Sequence, residues 1–305
     1  MIKKLLKKVK NWYLKPNGIS VLIAAQNEEK TIRLCVESFL EFGDEIIIVT
    51  NGSTDGTRDI CKELVREYPD KVQFYDKPEL PDLYHNRDFA LSKAKYRWVF
   101  RGDSDYVAYN DEDGKYSIRN LRNRIMQTLA IYPTAFWLEQ VNLYYKINMT
   151  GISKKFREKQ KNGKFRGHFV PETFAGYMPR IYLNTPFLKF IRQGRTEGVA
   201  YDRFYKQIFI NQPYWFHITL KIDKDLFFRS ERTNWRELGD FKKYPTLEDY
   251  IQKYVLPIKY KKPLDEAIKQ YIDEEVLPFL QEYDEKKYCP YPKKIKRFIE
   301  NGYFD

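Results

Sequence analysis

The sequence predicts an α/β fold: a mostly parallel sheet flanked by helices, with a small helical appendage at the C-terminus. Three observations carry that expectation. Two apolar runs, Ile19–Ala25 (ISVLIAA) and Glu45–Thr50 (EIIIVT), have the unbroken character of strands covered on both faces. Each is followed by apolar residues at helical spacing, first Ile32, Cys35, Val36, Phe39 and Leu40, then Ile60, Cys61, Leu64, Val65 and Tyr68. The links between them are short and polar, and strands alternating with helices in this way imply βαβ units with right-handed crossovers.

Taken in order, residues 1–15 (MIKKLLKKVKNWYLK) put Ile2, Leu5, Leu6, Val9, Trp12 and Tyr13 on one side of a helix and Lys3, Lys4, Lys7, Lys8 and Lys10 on the other. Such a helix either lies in an anionic membrane interface, where each Lys contributes about 1 kcal/mol, or docks over the domain. After the first strand, Asn27 is the candidate cap of the next helix, with Glu28 and Glu29 in its first turn, and Gly43 ends that helix. The second strand meets the turn at residues 51–57 (NGSTDGT). Residues 72–75 read as a third strand, 85–94 as a helix and 98–101 as a fourth strand. In sheets of this kind ligands bind outside the carboxyl ends of the strands. Loops 26–29, 51–55 and 103–105 all leave that edge and therefore line one crevice.

Further on, residues 153–168 (SKKFREKQKNGKFRGH) are basic and without apolar periodicity. They suit a lid over phosphates, part of an acceptor surface, or a solvated loop. The turn at 111–114 (DEDG) has the start of a calcium loop but lacks its downstream ligands. Residues 204–208 read as a helix and 214–217 as a strand ending in His217. Amphipathic stretches at 247–256, 264–280 and 295–299, punctuated by Pro257, Pro263, Pro278, Pro290 and Pro292, make up the appendage. The expected division is a basic helix over 1–16, a main domain over 17–235 and the helical appendage over 236–305.

Composition narrows the function. A chain of 305 residues with 43% hydrophobic content can bury a large core, and its 14 Gly and 15 Pro exclude a fibrous or generally disordered protein. The net charge of +12 favours an anionic partner or a soluble basic surface. No apolar run approaches the ~20 residues that span a bilayer, and the lysine-interrupted N-terminus is not a signal peptide. Cys35, Cys61 and Cys289 are widely spaced, as reduced core residues are, which places the chain in the cytoplasm, with peripheral attachment to the cytoplasmic membrane face through residues 1–15 as an option.

The stretch with the most chemistry is residues 98–105 (WVFRGDSD), where an apolar strand runs into Asp103 and Asp105. Carboxylates at i and i+2 beyond a strand end can turn toward one hard cation, Mg²⁺ or Mn²⁺, that stays partly open to water or phosphate oxygens. The same pair also occurs in ordinary solvated turns.

Three motifs in sequence over residues 19–105, VLIAAQNEE, IIIVTNGSTDGT and Asp103-Ser104-Asp105, resemble those of the family 2 glycosyltransferases, nucleotide-sugar enzymes of GT-A fold. The resemblance implies a GT-A domain whose first half, 17–110, holds the donor through Ala25, Asn27, Glu28, Asn51, Asp55, Arg87 and Asp103, and whose second half, 111–235, holds a glycan or lipid-linked acceptor. It implies Mn²⁺ or Mg²⁺ on Asp103 and Asp105. His217 is the candidate third ligand, with a structural histidine as its other reading; His85 and His168 have weaker claims. It also implies an inverting displacement in which a carboxylate takes the acceptor's proton. The candidates for that base are Glu197, between Gly194 and Gly198, and Asp202, whose other role is to cap the helix expected at 204–208.

The sequence departs from the family at two places. Ala24 or Ala25 stands where the family has proline, and Thr50-Asn51 stands where it has two aspartates, one of which commonly reads the base. The amide of Asn51 offers both a donor and an acceptor, so a uridine preference does not carry over. HNRDFAL, residues 85–91, resembles the family's Arg-Asn-X-Ala segment and puts Arg87 near the pyrophosphate or in an ion pair. Beyond residue 145 the resemblance thins. Two alternatives from other classes are a basic nucleic-acid-binding protein and a nucleotidyltransferase. No nucleic-acid module is present, so no nucleic-acid partner is expected, and AAQNEE lacks the glycine-rich phosphate loop that a nucleotidyltransferase needs after its first strand.

Overall fold

Four parallel strands, β1 (Ile19–Ala25), β2 (Glu45–Thr50), β3 (Val72–Asp76) and β4 (Trp98–Asp103), stand in the order β3-β2-β1-β4. Helices α1 (Ile32–Phe39), α2 (Thr57–Glu67) and α3 (Leu83–Lys93) connect them. Every residue of β1 and β2 is buried because side chains alternate between two covered faces. Ile19, Val21 and Ile23 join Ile46, Ile48 and the α1 residues Cys35, Val36 and Phe39 in one core. Leu22 joins Ile47, Val49 and Ala90 of α3 in the other. Asp82 caps α3 by accepting the backbone N–H of His85, so this helix starts earlier than residue 85.

The computed structural model describes residues 14–110, 114–129, 131–151, 169–170, 175–193, 196–200, 204–221 and 223–300. The basic residues 1–13, the acidic residues 111–113, the basic segment 152–168 and Asp202 lie outside them.

After β4 come β5 (Tyr106–Ala108), α4 (Ile118–Met126), β6 (Thr134–Tyr144), β7 (Met149–Gly151), β8 (Phe169–Val170), β9 (Ala175–Leu183), a separate antiparallel pair of β10 (Phe190–Gln193) and β11 (Thr196–Val199), and the long β12 (Lys206–Thr219). β9 runs antiparallel to both β4 and β6, and β12 runs parallel to β6 and antiparallel to β5. The sheet is thus parallel through β1 to β4 and along its longest ladder, and antiparallel across β9, which joins the two.

The helix expected at 204–208 is instead the beginning of β12. Lys206 to Ile210 pair residue for residue with Thr134 to Leu138, and Ile208 and Ile210 fall on the core side with the two-residue period of a strand. Five residues are too few to separate that period from a helical one, and the long-range ladder decides. Its register shifts around Pro213, which has no N–H to give.

The C-terminal part consists of α5 (Asp223–Leu238), α6 (Leu247–Tyr250) continuing into a π-helical stretch over Ile251–Tyr260, α7 (Leu264–Tyr271), β13 (Leu280–Glu282) and α8 (Lys293–Glu300). Residue 235 lies inside α5, whose Leu226 and Phe227 pack with Tyr250, Ile251, Val255, Ala267 and Tyr271 in a core of their own. The stretch 264–280 is not one helix. After α7 it widens into a π-helical stretch at Ile272–Val276 and tightens through a 3-10 turn at Leu277–Phe279 containing Pro278, and Leu280 then opens a strand antiparallel to β7. Cys35, Cys61 and Cys289 are free and buried. Among the described residues no helix is long and apolar enough to cross a membrane.

The pairing of β13 with β7 is what returns this C-terminal part to the central sheet, and Gly151 makes it possible. A Cβ there would stand 2.3 Å from the Phe279 carbonyl oxygen and 3.1 Å from the Leu280 Cα, both backbone atoms. Gly151→Ala is therefore expected to cost about 1–3 kcal/mol, seen as a lower denaturant midpoint at unchanged slope. A midpoint equal to that of the wild type would show that the two strands do not constrain each other.

Candidate active site

A cleft of about 730 Å³ opens at the carboxyl edge of β1, β2 and β4. Its first wall is the loop after β1, from Ala24 to Glu28, with Asn51 from the loop after β2. The two loops are latched together by their side chains. Asn27, in the left-handed region at φ 56°, accepts the Thr54 N–H at 2.8 Å and donates its own N–H to Ser53 Oγ at 3.1 Å. The Glu28 N–H donates to Thr57 Oγ1 at 2.8 Å, and Gln26 Nε2 to the Asn51 carbonyl at 3.1 Å. Asp55 accepts from the Glu29 N–H at 3.2 Å and from the Thr57 hydroxyl at 2.6 Å. The polar residues of QNEE and NGSTDGT thus hold a backbone shape, and the side chains of Asn51 and Glu28 are left facing the cleft.

The second wall is the end of β4. The Asp103 carboxylate is bound by Arg87 of α3 on one oxygen and by Arg180 of β9, at 3.2 Å, on the other. Arg87 also donates to the Gly102 carbonyl at 2.6 Å, and Arg180 lies 5.1 Å from the centre of the Tyr106 ring. Burial pushes the Asp103 carboxyl up, but the charges of Arg180, Arg87 and Arg101 outweigh it and hold the group well below the usual carboxylate range. Asp103 is a fixed anion.

Two residues on, Asp105 is buried, with Oδ2 3.1 Å from His217 Nε2. The ladder between β5 and β12, in which His217 stands opposite Tyr106, brings the two together across 112 positions of sequence. Glu28 completes this corner and accepts from Lys221 Nζ at 3.0 Å. Burial, and then the charge of Asp105, push the Glu28 carboxyl up against the pull of Lys221.

A chain of hydrogen bonds settles which nitrogen of His217 carries a proton in the neutral ring. The Trp215 indole N–H can only donate, and it reaches Gln140 Oε1 at 3.4 Å, where the Tyr106 hydroxyl also donates at 3.0 Å. Gln140 Nε2 therefore faces Asn142 Oδ1, at 3.0 Å. That oxygen lies 3.2 Å from His217 Nδ1, which must then be the N–H donor. In that tautomer Nε2 faces Asp105 Oδ2 and the Thr219 hydroxyl, 3.4 Å away, and either a proton on Nε2 or a cation held by both residues completes the contact with the carboxylate.

Two neighbouring ligands on one octahedral Mg²⁺ or Mn²⁺ stand about 3 Å apart, which is the separation of Asp105 Oδ2 and His217 Nε2. The pair fits a divalent ion. Among the described residues no group of three or more His, Cys, Asp or Glu side chains forms a ready metal cage. The remaining ligands would come from water and phosphate oxygens.

The third wall is α5 and the residues before it: Lys221, Asp225, Phe228, Arg229, Arg232, Thr233 and Arg236. Sequence reading missed all of it. The signal was present as arginines at i, i+3 and i+7, one face of a helix, in a stretch not recognised as helical.

Of the residues expected to bind donor or metal, Ala25, Asn27, Glu28, Asn51, Asp103, Asp105 and His217 line the cleft. Asp55 and Arg87 are not among its lining residues: Asp55 braces the loop and Arg87 is buried behind Asp103. Glu197 falls in β11, opposite Arg192 of β10, and not in a loop. Asp202 is outside the described residues.

Residues 20–183, more than half of the chain, match the model of the family described as Glycosyl transferase family 2. The teichoic acid poly(glycerol phosphate) polymerase of Staphylococcus epidermidis is 26% identical over 129 residues, covering 41% of this chain and 15% of that protein. The lipopolysaccharide core biosynthesis glycosyltransferase LpsC of Rhizobium meliloti is 37% identical over 90 residues, covering 28% of this chain and 31% of that protein. The chain thus spans less than a third of the length of either relative. Among solved structures, the mannosyltransferase PcManGT from Pyrobaculum calidifontis, in complex with GDP-Man and Mn²⁺, is 15% identical, with a TM-score of 0.43 over 98% of this chain and 86% of that one. The matched segment runs from β1 to the end of β9 and carries the latched loops, Asp103 and Asp105; the chain belongs to glycosyl transferase family 2.

Proposed function

We propose that this chain transfers a sugar from a nucleotide-sugar donor to a hydroxyl of a glycan or lipid-linked acceptor, with inversion, and that Asp105 and His217 hold Mn²⁺ or Mg²⁺ for the reaction. The observation that carries this reading is the pair of Asp105 Oδ2 and His217 Nε2, 3.1 Å apart, in a cleft at the carboxyl edge of a parallel sheet. When bound there, the ion would supply positive charge to the diphosphate as the bond to the sugar opens.

The chain's own residues account for the remaining requirements. The latched loops offer Asn51 to the base, and its amide can satisfy more than one base edge. Asp103, held as an anion by Arg87 and Arg180, keeps the end of β4 fixed against the donor. Glu28, with its carboxyl raised, and Lys221 close the corner between the first loop and β12. Glu197 and Asp202 remain the candidates for the base that takes the acceptor's proton. Residues 1–15 would bring the enzyme to an anionic membrane surface on the cytoplasmic side.

A thermal-shift panel of nucleoside diphosphates with and without Mn²⁺ tests the reading directly. A bound ligand at one hundred times its dissociation constant adds about 2.7 kcal/mol, so a rise in melting temperature that requires both components is expected. No rise with any nucleotide would overturn the proposal.

The two acids should separate. Asp105→Asn is expected to lower Mn²⁺ affinity and donor turnover by about a hundredfold or more, with little change in stability. Asp103→Asn leaves two buried arginines without their carboxylate and is expected to cost about 3 kcal/mol of stability as well as activity. Because the Asp103 carboxyl is held low in the folded state, its contribution is fully present above the unfolded value of about 4 and is lost as pH falls through the folded one. The stability gap between wild type and Asp103→Asn should therefore be constant near neutrality and narrow only in acid. A gap that closes between pH 6 and 8 would contradict the ion pairs.

Asn142→Leu removes the acceptor that fixes the His217 ring. Mn²⁺ affinity, read by the electron spin resonance of the free ion, is expected to fall about 10–100-fold. An unchanged affinity would mean that the tautomer is not what selects the ligand.

A further inference from the structure

The third wall of the cleft carries three arginines for which the described residues supply no ion-paired acid. Arg229, Arg232 and Arg236 are exposed, lie on one face of α5 and line the cleft together. Among the described residues none of them is ion-paired with an acid. Of the cleft's acids outside α5, Glu28 is paired with Lys221 and Asp103 with Arg87 and Arg180, while Asp105 faces His217.

On α5 itself, Glu231 is buried and holds Lys259 at 2.5 Å. It is thereby turned toward the packed side of the helix and away from its arginine neighbours. Asp225, one turn before Arg229, also lines the cleft and offers a single negative charge against three positive ones. Burial, and then the charge of Arg236, work against the charged form of Arg232. Like charges at this spacing destabilise a helix, and a fold that keeps three of them beside a cleft with one unpaired acid on the same wall leaves a place for an anion.

The length of the row bears on which anion. Seven residues of α-helix advance about 10 Å, more than one diphosphate group occupies. The donor's diphosphate belongs by charge beside Asp105 and His217, where the cation would sit. We infer that Arg229, Arg232 and Arg236 form a track for an acceptor that carries phosphate ester groups of its own, with Phe228 offering an apolar surface to its carbon skeleton. This rests on reading the cleft as a nucleotide-sugar site.

The test is a titration of the full chain with a short glycerol phosphate oligomer, first alone and then with UDP or GDP and Mn²⁺ at saturation. A neutral maltooligosaccharide serves as the control. Phosphatidylcholine vesicles with and without phosphatidic acid form a second arm, so that a soluble phosphodiester and a lipid phosphate are told apart. Binding of the oligomer, or of the phosphatidic acid vesicles, in the presence of the nucleotide is the expected result. The triple variant Arg229→Gln, Arg232→Gln, Arg236→Gln should weaken it by about tenfold or more, while nucleotide affinity stays within about twofold. Lysines at the three positions should restore most of the binding, since charge is what the track supplies.

The inference is overturned if the phosphate probes bind no better than the neutral control, if the triple variant binds them as the wild type does, or if the nucleotide displaces them, which would assign the arginines to the donor's diphosphate. If neither UDP nor GDP binds but the oligomer response still depends on the arginines, the anion track stands and the donor reading alone falls.

Discussion

The Asp103 carboxylate, gripped by Arg87 and Arg180, is the interaction on which the arrangement of this protein depends. It lies at the junction of the two halves of the sheet. β4 is the last strand of the parallel set, β9 is its antiparallel neighbour, and α3 covers one face. Each contributes one charged group to the same point. A buried ion pair of this kind adds little net stability when intact, yet it is expensive to break, because the remaining charges are left without a partner. It therefore fixes relative position more than it adds energy. Fixing the end of β4 fixes Asp105 two residues later, and the chemistry of the cleft needs that residue to be still.

The same logic continues into the aromatic core. Trp215 is fully buried, with ring centres 5.2 Å from Phe100 and 5.8 Å from Tyr106. Its indole N–H has no role as an acceptor, so packing that sets the ring also sets the orientation of Gln140, then of Asn142, and then the proton on His217. A residue of the packed core thereby bears on which nitrogen of a cleft histidine donates. The aromatic residues, 17% of the chain, thus serve both the core and the site.

This dependence on distant partners explains what could be read from the sequence and what could not. β1, β2, α1 and α2 were legible because each carries its own period over enough residues, and the crevice followed from where their loops must leave the sheet. Asn27, Asn51, Asp103, Asp105 and His217 could be named by residue type and place. Their roles could not, because a role is set by what stands opposite: Arg180 is 77 positions from Asp103, and Asn142 is 75 positions from His217. Of the two readings of Arg87, near phosphate or in an ion pair, the structure has the ion pair, buried against Asp103. The start of β12 was misread because Lys206 to Ile210 take their conformation from β6 and not from their own pattern. The arginine row was visible as spacing, but spacing means nothing until the helix that carries it is known.

The two sides of the cleft are built on different foundations. The latched loops, Asp103 and Asp105 stand on strands inside residues 20–183, the segment shared with the family. The arginine wall stands on α5, beyond that segment, and α5 is rooted in the separate C-terminal core through Leu226 and Phe227 and through the buried pair of Glu231 and Lys259. A wall made of strand ends and the loops latched to them tolerates little change, since the strands that carry it are tied into a ladder. A helix set on its own core can change its exposed face while its buried face keeps the packing. The division lets the strand-end wall of the cleft stay fixed while the exposed face of the helix opposite it varies, and in this chain that face presents arginines.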